Sequence, residues 1–291
     1  MAKLEKEVWL NQIKEGFYPD SSFLNAVTDH SGLVENDKIN LAEAGLDPEV
    51  LINNTTYPIR IDQRVDKPIS IELDTFETTN TLVRRPEVIE YAYDQLESVI
   101  RGHRSILRKR VSEKAAHAYA PKADGEYTPV LVTSGAADGN RLRLTFEDII
   151  ALKMRLDETD TPLENRFLVL DPRHVTDLLR QDIKLFKDIT NMTEGEPFRF
   201  AGFGMFQFSR NPKYKKVGTK WEKVAFTAED GTNFCSFAFQ KDEVMKADGD
   251  LHMYERANDP EERGTIVGFD KRFIAFTFRN RGVGAIVSAT A

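Results

Sequence analysis

The sequence contains a single cysteine, Cys235, no long apolar run and no excess of positive charge. One cysteine cannot form an intramolecular disulfide, which excludes a disulfide-stabilised secreted domain and fits folding in a reducing cytoplasm. No apolar stretch approaches the roughly 20 residues that a membrane-spanning helix needs, so we expect no membrane contact. The first ten residues lack the apolar core of a signal peptide, and we expect synthesis without export.

The composition bounds the class of protein. Forty basic residues against 47 acidic ones give a net charge of -7, so no dominant positive field indicates a general nucleic-acid binder. The 291 residues, 41% of them apolar, suffice for one large core or two smaller ones and exclude disorder across the whole chain. We therefore expect a cytosolic globular protein.

The charge is distributed unevenly along the chain. Residues 1–55 contain four lysines and ten acids, whereas residues 84–122 contain nine lysines and arginines and five acids. Two solvated faces would explain each segment taken alone. A sharper interpretation is that identical copies meet head to tail, with the acidic segment of one copy against the basic segment of the next.

The first third of the chain predicts three unusual parts. Residues 1–55 have weak periodicity interrupted by glycine and proline, which is typical of an extended arm that needs a partner surface. From Tyr57 to Asp74 apolar and polar residues alternate on both sides of Asp66-Lys67-Pro68, so we predict a long hairpin with its turn there. Pro86 then opens a helix that runs to Tyr119, a rod on the order of 50 Å.

The remainder predicts alternating helices and strands without the regular rhythm of a nucleotide-binding fold. We expect a short strand at Pro129–Thr133, a helix capped by Thr145 and ending near Leu156, a strand at Phe167–Leu170, and a helix from Pro172 to about Lys187. Six further strands are predicted at Phe203–Phe208, Lys223–Thr227, Phe234–Phe239, Gly264–Val267, Arg272–Arg279 and Gly284–Val287.

Few residues are candidates for catalysis or metal binding. Five scattered histidines and one cysteine give no recognised metal-ligand spacing. Asp171 and His174 follow a predicted strand, where an α/β hydrolase places acid and base groups; alternatively, Asp171 caps the helix and His174 is a surface residue. Cys235, beside Phe234, is typical of a small buried residue. We expect no catalytic, cofactor-binding or metal-binding residue.

A cluster of phenylalanines near residue 200 also has two interpretations. Aromatic residues followed by basic ones occur in proteins that stack on single-stranded nucleic acid. The alternation of Phe206 and Phe208 instead favours a sheet face packed into a core, with the basic turn in solvent. The residues are Phe198, Phe200, Phe203, Phe206 and Phe208, then Arg210, Lys213, Lys215 and Lys216.

The order of these parts resembles the major capsid protein of tailed bacteriophages with the Hong Kong 97-like fold. Local segments are similar to the axial-domain elements and closing strands of that family. They are Leu144–Ile150, Asn165–Pro172, Ala201–Phe208, Phe237–Val244, Arg272–Arg279 and Gly282–Ser288. The resemblance covers nearly the whole chain.

The resemblance implies an α+β fold with four parts. These are an N-terminal arm (1–55), an extended hairpin loop (56–84), a peripheral domain with a spine helix (85–129 and 262–291), and an axial domain (130–261). In this family the last stretch completes the peripheral sheet.

The resemblance also implies a function. It predicts a non-enzymatic subunit that assembles with copies of itself, as hexamers and pentamers, into an icosahedral shell around double-stranded DNA, which it contacts without sequence specificity. Scaffolding, portal and decoration proteins are further candidate partners, and the implied location is the virion after assembly in the host cytoplasm. Two alternatives stay open: an encapsulin-like nanocompartment shell, and a cytosolic hydrolase that uses Asp171 and His174.

Overall fold

The computed structural model describes residues 23–35, 38–43, 55, 58, 67–84, 89–182, 198–228 and 233–290. In this part of the chain the helices are α1 (Ile89–Tyr119), α2 (Phe146–Asp157) and α3 (Pro172–Gln181). The strands are β1 (Thr28–Asp29), β2 (Val34–Glu35), β3 (Lys38–Glu43), β4 (Lys67–Glu72), β5 (Asp74–Glu77), β6 (Thr81–Arg84), β7 (Val130–Val132), β8 (Ala137–Asp138), β9 (Arg141–Leu142), β10 (Arg166–Leu170), β11 (Phe198–Phe200), β12 (Phe203–Gln207), β13 (Lys213–Val217), β14 (Lys220–Lys223), β15 (Asn233–Gln240), β16 (Val244–Asp259), β17 (Gly264–Thr277) and β18 (Val283–Val287).

The first sheet has five strands and carries the long helix. β16 and β17 form an antiparallel hairpin, β1 runs parallel to β16, and β5 and β6 pair with successive parts of β17. α1 packs against β17, and the hydroxyl of Tyr119 donates to the carbonyl of Met245 at 3.1 Å. The 31 residues of α1 make a helix about 46 Å long. The predicted rod is confirmed, and its predicted first residue, Pro86, lies outside the described residues.

The second sheet has eight described strands. β11, β12, β10 and β15 lie side by side in that order. β18 also pairs with β15, β7 pairs with β18, and β13 of the β13–β14 hairpin pairs with the first residues of β15. α2 packs against β18 and β7. The predicted cap of α2 is confirmed, because Thr145 Oγ1 accepts the Asp148 N–H and the Asp148 carboxylate accepts the Thr145 N–H. α3 begins at Pro172 with Asp171 as its cap.

One main core joins α1 to both sheets. Its aromatic members include Tyr119, Phe237, Phe239, Phe269 and Phe273. A second core fills the space between α2, α3 and the second sheet. Both are built by residues at the apolar positions that the sequence pattern marks, which is why the helix and strand predictions succeed there.

The N-terminal segment was predicted as an extended arm that packs on a partner, but part of it packs into the core of its own subunit. Phe23 and Leu24 are buried in the main core, where the Phe23 ring lies 6.4 Å from the Tyr119 ring and 5.9 Å from the Phe237 ring, centre to centre. The prediction for residues 1–55 is therefore wrong for residues 23–27, because an aromatic residue far from other apolar runs gives no local sign of its partners. Residues 1–22 lie outside the described residues.

The predicted turn of the hairpin is also wrong. Lys67 and Pro68 lie within β4, where they pair with Glu43 and Ala42 of β3. Among the described residues, β4 lies at one side of a three-stranded sheet of β2, β3 and β4, and a strand at the side of a sheet tolerates proline. The predicted first strand, residues 59–65, lies outside the described residues.

Three smaller predictions need correction. The two strands predicted between residues 264 and 279 are one continuous strand, β17. The strand predicted at Lys223–Thr227 ends at Lys223, since β14 covers Lys220–Lys223. α3 ends at Gln181 instead of Lys187, and the N–H of Asp182 bonds to the carbonyl of Leu178.

Two strands of the C-terminal half pair in a different sheet from the one that the predicted domain boundaries assign to them. β16 falls within the stretch assigned to the axial domain (130–261), but it pairs with β17 beside α1. β18 falls within the stretch assigned to the peripheral domain (262–291), but it pairs with β15 and β7 in the second sheet. Of the last stretch, β17 therefore belongs to the sheet beside α1, whereas β18 belongs to the second sheet. The division into four named domains itself stays a prediction.

Candidate functional site

The pair proposed for a hydrolase does not form an acid–base pair in the structure. Asp171 accepts the N–H of Arg173 at 2.9 Å, as a helix cap does. His174 instead contacts two serines: its Nδ1 lies 2.6 Å from Ser236 Oγ and its Nε2 lies 2.7 Å from Ser288 Oγ. The capping interpretation of Asp171 is confirmed, whereas the placement of His174 at the surface is wrong.

The His174 cluster is closed to solvent. His174 and Ser236 are 0% exposed, so a substrate could not reach either side chain. Burial lowers the pKa of His174 from 6.5 to about 4, because an imidazolium would lose its hydration there. A neutral imidazole donates through one nitrogen and accepts through the other, and the two serine hydroxyls satisfy both. The arrangement ties α3 to β15 and to the end of β18.

Sequence reasoning missed both serines. Ser236 lies in the apolar run Phe234–Phe239, and Ser288 directly follows Val283–Val287. A hydroxyl within an apolar strand needs a buried partner, so the two serines could have been flagged as polar core positions. Their shared partner could not have been named, because it depends on how three elements meet.

A second buried polar group holds the same region together. The Arg141 guanidinium donates two bonds to the Asp177 carboxylate, at 2.5 and 2.8 Å, and Asp177 also accepts the Leu144 N–H at 3.1 Å. Asp138 accepts from Arg141 at 3.2 Å and from Arg180 at 3.1 Å. The carboxylates are already paired with arginine, so the group is suited to joining α3 to the β8–β9 turn.

Other candidate residues have structural roles. Cys235 is fully buried, its Sγ donates to the Pro212 carbonyl at 3.1 Å, and burial raises the pKa of the thiol, so the prediction of an inert core residue is confirmed. Phe203 and Phe206 are buried in the cores, as the core interpretation of that cluster predicts. Within the described ranges, no three acidic, histidine or cysteine side chains are grouped to hold a metal ion. None of the described helices is long and apolar enough to cross a membrane.

The surfaces available to other molecules lie on the first sheet and its helix. β1 pairs with β16 only at Met245 and Lys246. Among the described residues, no strand pairs with that edge of β16 beyond Lys246. Such an edge offers unpaired backbone groups to another chain. Tyr254 is exposed on β16, and its hydroxyl donates to Asp270 at 3.2 Å.

The solvent side of α1 is a second such surface. In the stretch 101–110, Arg101, Ser105 and Lys109 are exposed, whereas His103 and Leu107 face the sheet and are buried. Ten large apolar side chains are exposed among the described residues, and two of them, Ile150 and Met154, lie one turn apart on α2. The ten are Leu33, Ile106, Tyr127, Val132, Ile150, Met154, Leu163, Val217, Phe226 and Tyr254.

Comparison with known proteins identifies the fold. No family model matches the chain, and no curated protein matches it. The solved capsid of cyanophage P-SCSP1u matches 93% of this chain and 89% of its own, with 16% identity and a TM-score of 0.60. The capsid of Ralstonia phage GP4 matches 93% of this chain and 89% of its own, with 9% identity and a TM-score of 0.61.

A third match comes from an archaeon. The virus-like particle from Pyrococcus furiosus matches 97% of this chain and 99% of its own, with 11% identity and a TM-score of 0.59. The chain therefore has the α+β Hong Kong 97-like fold that the order of its parts predicted.

Proposed function

We propose that this chain is the major capsid protein of a tailed bacteriophage, which assembles with copies of itself into an icosahedral shell around double-stranded DNA. The observation that carries the proposal is the match in fold to solved phage capsids over more than nine-tenths of the chain. In that role the chain would be a structural subunit of the virion and not an enzyme.

The surfaces of the first sheet support this role. A shell subunit must bind neighbours in closed rings and between rings, so it needs several separate contact surfaces. Beyond Lys246, the outer edge of β16 pairs with no strand in the described part of the chain and can accept a strand of a neighbouring chain. The exposed Tyr254 on β16 is a side chain of the kind enriched at interfaces. We infer that this edge is one contact between copies.

The parts predicted to reach over neighbours are the arm, residues 1–55, and the hairpin loop, residues 56–84; within them we keep two segments as candidates, residues 1–22 and residues 44–66. The second segment joins β3 to β4, whose outer ends pair at Glu43 and Lys67. We propose that both segments bind other copies, whereas residues 23–27 belong to the subunit's own core. This divides the predicted arm at Phe23.

Electron microscopy of the purified full chain tests the proposal. We expect rings, sheets or closed shells in negative stain, alone or after co-expression with neighbouring genes. Deletion of residues 1–22 should derail assembly while the circular dichroism spectrum stays that of a folded protein, because the deletion stops before the buried Phe23. A chain that stays monomeric under every condition contradicts the proposal.

A nanocompartment shell is the second candidate, favoured by the match to the virus-like particle from Pyrococcus furiosus over 99% of that chain. The contents of the particles separate the two functions. Particles isolated from the native host after nuclease treatment should protect duplex DNA if the chain is a phage capsid protein. Protected protein cargo without nucleic acid would instead favour the nanocompartment.

A further inference from the structure

We propose that the solvent side of α1 between Arg101 and Arg110, called here the basic strip, contacts the phosphates of duplex DNA. The inference rests on the proposed function, because it assigns the packaged genome to a particular surface of the subunit. This surface would let a subunit of net negative charge bind the negatively charged DNA.

The charge of the basic strip is concentrated and of one sign. The ten residues from Arg101 to Arg110 contain five lysines and arginines and no acid, although the whole chain carries a net charge of -7. Arg101, Lys109 and Arg110 are exposed, and Arg104 and Arg108 are half-buried at its margin. The strip is therefore a local positive surface on an acidic protein.

Pairing within the subunit does not account for three of these five charges. Arg110 lies 3.0 Å from Glu113. Across the described residues, no carboxylate pairs with Arg104, Arg108 or Lys109. These three cations are therefore free to bind an anion from outside the subunit.

The helix dipole does not explain the strip either. Cations stabilise a helix through its dipole only within the last turn, and α1 continues for nine residues beyond Arg110 to Tyr119. The basic side chains lie in the middle of the helix, where the dipole gives them no advantage. The dipole therefore does not account for their concentration on this stretch of the helix.

The surface of the strip suits a phosphate backbone. Gly102 and Ser105 lie between the basic residues, and a Cβ added at Gly102 would meet no atom within 4 Å, so a duplex can approach the helix closely. Arg101 and Arg108 are seven residues apart, about 10 Å along the axis. One DNA strand presents a charge about every 3.4 Å along its axis, so the strip spans about three phosphates.

An acidic segment of a second copy is the competing partner. Residues 35–49 contain five acids and one lysine, and they would complement the same cations. We favour DNA because the centre of the strip, Arg101, Ser105 and Lys109, contains no apolar side chain, whereas protein interfaces bury apolar side chains at their centre. Among the exposed residues of the strip only Ile106 is apolar, and it lies one turn from Gly102 and from Arg110.

The test compares two triple variants of the full chain. R104Q/R108Q/K109Q neutralises three cations of the strip, and K215Q/K216Q/K220Q removes the same charge from the exposed β13–β14 hairpin. Binding to a 30-base-pair duplex is followed by fluorescence anisotropy between 50 and 200 mM salt. Each lost phosphate contact lowers the slope of log K against log salt by about 1. We expect the slope of the strip variant to be smaller by about 3, so that wild type loses about 60-fold more affinity across this range than the variant.

The outcomes separate this inference from the proposed function. The hairpin variant should keep the wild-type slope, and both variants should keep the wild-type circular dichroism spectrum and melting temperature. An unchanged slope in the strip variant, or no binding by wild type at 50 mM salt, overturns the inference whether or not shells form. A strip variant that keeps the slope but no longer forms shells assigns the strip to contacts between copies. Failure of wild type to form shells contradicts the proposed function. The salt dependence of DNA binding by wild type and the two variants then still decides whether the strip binds DNA.

Discussion

His174 Nδ1 lies 2.6 Å from Ser236 Oγ, although 62 positions separate the two residues. The other ring nitrogen, Nε2, lies 2.7 Å from Ser288 Oγ, 114 positions away. One side chain at the start of α3 thus joins β15 and the end of β18. The imidazole is held neutral inside the subunit, so protonation and folding are linked.

Acid should destabilise the unassembled subunit through His174. The pKa of His174 is about 4 in the folded chain and 6.5 as the ordinary value. Between these two pH values the unfolded chain binds more protons than the folded chain does. The contribution of His174 to the free energy of unfolding is therefore fully present above pH 6.5 and is lost as the pH falls towards 4. The full linkage is about 3 kcal/mol. Urea unfolding of wild type at pH 7 and pH 4.5 measures most of this loss.

His174→Gln should weaken that dependence. The variant leaves at least one serine hydroxyl without its partner, and we expect it to be about 1–3 kcal/mol less stable at pH 7. It should also lose less stability at pH 4.5 than wild type does. A residual loss remains, because burial also lowers the pKa values of His103 and His117. The exposed His252 provides the control: His252→Gln should keep the wild-type pH dependence, and an equal loss in H174Q and wild type would contradict the assignment.

Local pattern predicted the three described α-helices but missed many of the strands, among them the longest, β16 (Val244–Asp259), and it did not predict which strands pair. α1 was found because apolar residues recur at three and four without an internal proline. β3 was missed because its alternation, Lys38–Glu43, is short and lies in an acidic stretch without other strand signals. β17 was predicted as two strands because Asp270 and Lys271 interrupt its apolar pattern, and both are buried in the sheet.

The sites were harder to predict than the elements. The cap role of Asp171 follows from its place before Pro172, a relationship between neighbours. The burial of His174 depends on Ser236 and Ser288, and the core position of Phe23 depends on α1 and the second sheet. Sequence periodicity contains no information on such distant contacts, so these features required the fold.

Removing the buried carboxylate of Asp177 should strongly destabilise the second sheet and its helices. Asp177→Ala removes both Arg141 bonds to that carboxylate and the acceptor of the Leu144 N–H, and leaves Arg141 with Asp138 alone. Breaking one partner of a buried ion pair costs about 3–5 kcal/mol. Thr176→Ala, at the exposed neighbouring position of α3, should change the free energy of unfolding by less than about 0.5 kcal/mol. Equal stability of the two variants in urea would contradict this role.

Phe23 should stabilise the isolated subunit and not only the assembly. Its side chain is 2% exposed and contacts the rings of Tyr119, Phe208 and Phe237. Phe23→Ala should cost about 3–5 kcal/mol in the free energy of unfolding of the monomer. Leu33→Ala, at a residue 53% exposed, should cost far less. A wild-type unfolding curve for the monomeric F23A variant would place Phe23 in an interface between copies.

Lys223 should make the subunit more stable as the solution becomes mildly alkaline. Its Nζ donates to the carbonyls of His117 and Ala120 at the end of α1, at 2.6 and 2.5 Å. Burial nevertheless lowers the pKa of Lys223 from 10.5 to about 8. Above pH 8 the unfolded chain keeps a proton that the folded chain releases, so stability rises with pH, by about 1 kcal/mol between pH 7.5 and 9.

Lys223→Met isolates this contribution, because the apolar stem is kept while the titrating amine is removed. Urea unfolding at pH 7.5 and pH 9 should show a gain for wild type and for Lys220→Met, whose lysine is exposed on the same strand, and no comparable gain for K223M. The Cys235 thiol, which burial keeps protonated in the folded chain, has an ordinary pKa of 9.0 and ionises in the unfolded chain within this range. It reduces the gain equally in all three proteins, so the difference between K223M and wild type reports Lys223 alone. An equal gain in all three proteins would show that the amine at the end of α1 does not titrate in this range.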